Sequence, residues 1–183
     1  QHGYLPSEFF AGRRFWGVAA HLYTLRSSRN WGIGDFTDLR DLVAWSTSQG
    51  AATVAINPLH ALFPLKPGVA SPYSPNSRLF LNALYLDVEA IPDFASSPEA
   101  RKLLDNHDFA ERLRKAREAA LVDYDAVTRL KFDALERLYV SFRRSHLDQI
   151  DDTRTADFRR FQTDGGGGLR AFATFEALSE SFK

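Results

Sequence analysis

Ala51-Ala52-Thr53-Val54-Ala55-Ile56 is a short, unbroken apolar run set between Gly50 and the pair Asn57-Pro58. A run of this kind reads as a strand buried on both faces. Working back from it, Gly50 suits the C′ position of a helix, and Phe36, Leu39, Leu42 and Val43 give that helix one apolar face with a 3.6-residue period. Asp35 stands at its N-cap, where a side-chain oxygen accepts an orphan amide of the first turn. Earlier still, Phe15-Trp16-Gly17-Val18-Ala19-Ala20-His21-Leu22-Tyr23 reads as a buried strand running into a loop. Strand, helix and strand with short connections make a βαβ unit, hence a parallel pair with a right-handed crossover.

Working forward from Ile56, residues 57–82 show no regular period. Pro58, Pro64, Pro67, Pro72 and Pro75 break any helix or central strand there. A structureless loop of this length inside a compact domain is usually functional. Ala83-Leu84-Tyr85-Leu86-Asp87-Val88 then reads as another short strand. Beyond Pro92 the chain turns charged and helical, with a short helix over Pro98–Leu104, another over Phe109–Leu121 and a long one from Val127 to about Leu147. The long one carries Val127, Leu130, Ala134, Leu135, Leu138 and Phe142 on one face. Gly165 to Gly168 form a flexible joint between two further helical stretches.

The 183 residues suffice for one hydrophobic core, and 44% hydrophobic with 25% charged residues is the composition of a soluble globular chain. Lys plus Arg and Asp plus Glu both total 23, so no net charge draws the chain to nucleic acid or to an anionic membrane. No apolar run approaches the roughly 20 residues that span a bilayer. The opening from Gln1 does not read as a signal peptide. The absence of cysteine excludes a disulfide framework and any thiolate metal site, which fits the cytoplasm. A start without Met and a helical ending without a Gly or Pro stop make both ends read as cuts, and the chain as a piece of a longer one.

Candidate chemistry is sparse. Trp31-Gly32-Ile33-Gly34-Asp35 follows a strand and opens a helix, but Thr37 stands where a dinucleotide loop needs its third glycine, and no acidic residue follows at the required distance. A tight turn with an N-cap accounts for the stretch. The five histidines, His2, His21, His60, His107 and His146, form no zinc-type spacing. His60 falls just after a predicted strand, which is the catalytic face in a barrel of alternating strands and helices, and it reads equally as a loop histidine. Glycoside chemistry needs two carboxylates flanking one bond. Asp35, Asp38 and Asp41 read as caps and a solvated helix face, whereas Asp87 and Glu89, two apart, would share one face of a strand. With Asp93 these are the candidates, and they make no acid–nucleophile pair. Ser71-Pro72-Tyr73-Ser74-Pro75 is the most distinctive loop, a proline-stiffened turn presenting a Tyr ring among hydroxyls. Such a ring suits the C–H face of a sugar, and equally packing on the core.

Four stretches in order carry a resemblance: His21 to Arg26, Asn30 to Phe36, Asn57 to Phe63, and Ser71 to Pro75 with Asn82 to Asp87. They resemble the amylomaltases, the 4-α-glucanotransferases of glycoside hydrolase family 77, from about Phe15 to Phe94 and more loosely to Lys183. The resemblance implies an α/β fold, an incomplete (β/α)8 TIM barrel over 1–94 with a substrate loop at 57–82, followed by a helical subdomain over 95–183. It implies transfer of α-1,4-glucan segments between maltooligosaccharides through a covalent glycosyl-enzyme, with no metal or organic cofactor. Tyr73 corresponds to a tyrosine stacked on the sugar beside the scissile bond, Ser71 to a hydroxyl contact nearby, and His60 is added as a substrate-binding candidate. The family's catalytic carboxylates lie in later motifs absent here, so no residue is assigned a catalytic role and the piece alone is expected to be inactive. A non-catalytic glucan-binding module and another α-amylase-type hydrolase are the alternatives.

Overall fold

The computed structural model describes residues 12, 14–147, 149 and 152–182. Strand β1, Gly17–Ala20, pairs in parallel with β2, Thr53–Ile56, in the register Gly17↔Thr53 to Ala20↔Ile56. Helix α1, Phe36–Ser48, joins them and packs on β2. The βαβ unit is therefore present, with shorter strands than the sequence suggests. After Ala20 the chain turns into a 3-10 helix at Leu22–Thr24 instead of extending to Tyr23.

The expected two-sided burial of both strands is not found. Each alternates exposed and half-buried residues. The sheet has two strands and no third lies beside either edge among the described residues, so the barrel is not closed in this piece.

Both ends of α1 follow their sequence signals. Asp35 Oδ1 accepts the amides of Thr37 and Asp38 at 3.0 Å, and Asp38 Oδ2 accepts the Asp35 amide at 3.0 Å, a complete capping box. At the other end the Gly50 amide reaches Thr47 O at 2.9 Å and the Ala51 amide reaches Ser46 O at 3.0 Å, a Schellman closure with Gly50 at φ 81°.

Segment 57–82 holds structure that its prolines concealed. Strands β3, His60–Ala61, and β4, Ser77–Leu81, form an antiparallel pair, closed by Asn76 N to Ala61 O at 2.8 Å and Asn82 N to Leu59 O at 2.9 Å. The strand expected over Ala83–Val88 is absent. Asn82 Oδ1 accepts the Leu84 amide at 3.0 Å, and this turn opens a 3-10 helix at Ala83–Tyr85. The Leu84 and Leu86 carbonyls, which a sheet ladder would use, both accept from Lys131 Nζ at 2.7 Å.

Five helices follow: α2 (Pro92–Ser96), α3 (Pro98–Asp105), α4 (His107–Glu118), α5 (Tyr124–Phe142) and α6 (Thr153–Ser181). All but α2 start on a side-chain cap, from Ser97, Asn106, Asp123 and Asp152. The long helix stops at Phe142, and Arg143–Leu147 continue as a π turn. Helix α6 is broken within the glycine run by a non-helical Gly166 at φ 49° and ψ −140°. One cluster of buried side chains joins Leu22, Trp31 and Ile33 to Leu84, Tyr85 and Val88, and onward to Phe94, Phe109, Val127 and Leu138. The helical half thus shares one core with the 3-10 turn and the Trp31 loop. Among the described residues no helix is long and apolar enough to cross a membrane.

Candidate functional site

The C-terminal ends of the two parallel strands meet a polar lattice. Asn57, directly after β2, accepts the Leu22 amide at 2.7 Å and donates to the Tyr85 hydroxyl at 3.1 Å and to Pro58 O at 2.8 Å. One buried amide thereby fixes the exit of β1, the exit of β2 and the 3-10 turn.

Beside it, Arg29 makes a bidentate pair with Asp35 at 2.8 and 2.9 Å and reaches Asp38 and Asp87, each at 2.7 Å. Two of the three carboxylates are buried, where ions need partners. Burial alone would lift the Asp35 carboxyl. The Arg29 hydrogen bond, the Asp38 amide and the charges of Lys131 and Arg29 instead hold it below the usual carboxylate range. Lys131 is 1% exposed, and burial drags its ammonium down to about 8 although the three aspartates favour its charge. Arg117 grips the same loop from α4, donating to Asn30 O at 2.8 Å and Arg29 O at 2.9 Å. Trp31 donates to Glu89 at 2.8 Å and sets its ring edge-on to Phe109.

These contacts give each candidate carboxylate a partner within the scaffold. Asp35 and Asp38 do cap α1, but they are buried under Arg29, so the solvated face expected for this trio is left to Asp41, which pairs with Arg40 at 3.1 Å. Asp87 and Glu89 share no strand face, since no strand forms there. Asp93 is buried and paired with Arg154. Among the described residues no group of three or more His, Cys, Asp or Glu side chains is placed to hold a metal.

The three residues expected to meet substrate lie on or at the base of one loop. Ser71 and Tyr73 are exposed and share a turn closed by Ser74 N to Ser71 O at 3.1 Å, while Pro72 between them is buried. Tyr73 is 64% exposed. His60 is half-buried in β3 opposite Leu81, at the foot of the same loop. Ser71 and Tyr73 are brought together; His60 joins them through the hairpin.

Behind this loop lies an apolar cavity of about 220 Å³ walled by Phe63, Val69, Leu84, Phe132 and Phe172 among others. Neither Tyr73, Ser71 nor His60 lines it. Asn82 Nδ2 and Thr128 Oγ1 are buried at its wall without a hydrogen-bond partner among the described residues.

Sequence reasoning missed Arg29, Lys131, Asn57 and Glu176. For Lys131 a signal existed: it sits beside Val127, Leu130 and Ala134 on the apolar face of a helix. Arg29 had a weak one in Asp35 and Asp38, six and nine residues on, but its third partner, Asp87, is 58 residues away. Glu176 had none, because its partner is 100 residues away.

Residues 20–183 match the glycoside hydrolase family 77 model, described as 4-alpha-glucanotransferase. A 4-alpha-glucanotransferase of Haemophilus influenzae is 41% identical over 166 residues, which is 91% of this chain and 24% of that protein. One from Mycobacterium tuberculosis is 39% identical over 185 residues, 97% of this chain and again 24% of that protein. The crystal structure of amylomaltase from Corynebacterium glutamicum aligns with a TM-score of 0.78 at 34% identity, covering 95% of this chain and 24% of that one. This chain therefore spans about a quarter (24%) of the length of these relatives. The match over residues 20–183 and the identities to these relatives make the chain a member of the family 77 4-alpha-glucanotransferases.

Proposed function

We propose that this chain supplies part of the donor-binding side of a 4-α-glucanotransferase, in which its βαβ unit begins a (β/α)8 barrel. The parent enzyme moves α-1,4-glucan segments between maltooligosaccharides by the retaining route, through a covalent glycosyl-enzyme formed on a carboxylate, with a second carboxyl as acid and base. Tyr73 offers its ring to the C–H face of the sugar beside the bond that breaks, Ser71 a hydroxyl beside it, and His60 a polar group at the loop's foot. The observation that carries this reading is the exposed Tyr73 ring on a turn whose buried Pro72 and hairpin base hold it out from the surface.

The carboxylates near the strand ends all have partners within the scaffold, which supports placing the catalytic pair on other parts of the parent. Two measurements test the reading. In the full-length transferase, Tyr73→Ala raises the KM for maltotriose about tenfold, the cost of roughly 1.4 kcal/mol of lost stacking, while Tyr73→Phe stays near the parent. The 183-residue stretch expressed alone yields no glucose from maltotriose. Turnover by that stretch above a blank, or a Tyr73→Ala enzyme with unchanged KM, would overturn the respective half.

A further inference from the structure

The C-terminal foot of the substrate loop is tied to a helix that lies far away in the chain. Asn76, three residues after Tyr73, donates its amide N–H to Glu176 of α6, 100 residues on. One turn earlier in α6, Phe172 stacks on Phe80 of β4, with ring centroids 4.6 Å apart. On its other side Asn76 is bound through its backbone to Ala61 at 2.8 Å. Glu176 is half-buried, so its hydrogen bond to Asn76 is partly shielded from water. Phe172 and Glu176 also wall the apolar cavity beneath the loop, and both lie beyond the break at Gly166.

We propose that Glu176 is a positioning residue: by holding Asn76, with Phe172 against Phe80, the distal half of α6 fixes the Ser71–Asn76 turn and so the pose of the Tyr73 ring. The part concerning the sugar rests on the reading of Tyr73 given above; the pinning of the turn does not. A short turn held only by the Ser74–Ser71 bond and the hairpin base would sample several orientations, and a stacking ring loses affinity for each one it must abandon. Glu176 touches no reacting atom in this scheme. Its effect falls on ground-state binding of the donor rather than on the chemical step.

The test uses the full-length transferase with Glu176→Ala, Glu176→Gln, Asn76→Ala, Tyr73→Ala and the double variant Glu176→Ala/Tyr73→Ala. Two quantities are read: maltotriose kinetics, and amide exchange of the peptide covering 71–77 by mass spectrometry. Glu176→Ala and Asn76→Ala should each raise KM several-fold with kcat within about twofold, and speed exchange of the 71–77 amides about tenfold. Glu176→Gln should restore both, since its amide oxygen accepts the same Asn76 N–H. The double variant should bind no worse than Tyr73→Ala alone. Unchanged exchange in both Glu176→Ala and Asn76→Ala sinks the proposal, as do KM effects of Glu176→Ala and Tyr73→Ala that multiply. Faster exchange together with a Tyr73→Ala enzyme of unaltered KM would uphold the pinned turn and strike down the sugar platform instead.

Discussion

Arg29 and Lys131 put two cations among three aspartates, and their removal should have different signatures. Arg29→Ala leaves Asp35, Asp38 and Asp87 without their guanidinium, two of them buried, and should cost on the order of 3 kcal/mol, read as a lower urea midpoint of tryptophan emission. Arg29→Lys keeps the charge but not the fork that grips Asp35 bidentately, and should fall between the two. Lys131 acts through pH. Its folded ammonium has a pKa of about 8, below its ordinary value of 10.5, so the unfolded chain binds more protons between those limits. Stability from this group therefore rises with pH, by about 2 kcal/mol from about pH 7.5 to about 9.5, and Lys131→Met should abolish that rise while lowering stability overall. Tyr124 works in the opposite sense: burial lifts its hydroxyl to about 12, so the stability it gives is lost as pH climbs above its ordinary 10. Urea resistance of the wild type relative to Lys131→Met should accordingly grow over the first of these ranges. A monotonic fall in that difference from neutral pH would contradict it.

Among the elements, the turn that opens α1 tolerates least. A Cβ on Gly34 would stand 2.0 Å from the Leu22 carbonyl oxygen, and one on Gly32, already at φ +84°, would stand 2.6 Å from Ala116 O. Gly34→Ala and Gly32→Ala should each cost more than about 2 kcal/mol, because backbone must move. Gly50, at φ +81° with open space around it, should cost only about 1 kcal/mol as Ala, in the same melt. Helix α1 was legible in the sequence because both its ends are local chemistry, a carboxylate four residues ahead of Leu39 and a glycine after Gln49. The β3–β4 hairpin was not, since β4 is a half-exposed run trapped between Pro75 and Asn82 and is paired through a bond to Leu59 across the loop. The run 83–88 misled in the opposite direction. Its apolar residues suit a strand, but Asn82 turns the backbone locally and a lysine 45 to 47 residues away takes the carbonyls a ladder would need. The proline-stiffened Tyr73 loop stood out by its residues, while its sugar-facing role came only from the family resemblance; the Asn76–Glu176 tether was not legible, because its partners are 100 residues apart.

At the scale of the molecule, the fold leaves large apolar surfaces open. Phe15, Trp16 and Trp45 flank the parallel pair and are all more than a third exposed. Open strand edges beside apolar side chains favour self-association. The 183-residue stretch made alone should therefore sediment as oligomers and bind a dye such as ANS more strongly than the full-length enzyme does; a clean monomer that ignores the dye would refute this. The same long reach sets an order of events during synthesis. Ribosomes add about 5–20 residues per second, so the 100 residues between Asn76 and Glu176 take about 5–20 s to make. Throughout that interval the Ser71–Asn76 turn has been made while Glu176 does not yet exist, so once the turn emerges it is a natural place for a chaperone or a protease to act on the nascent chain.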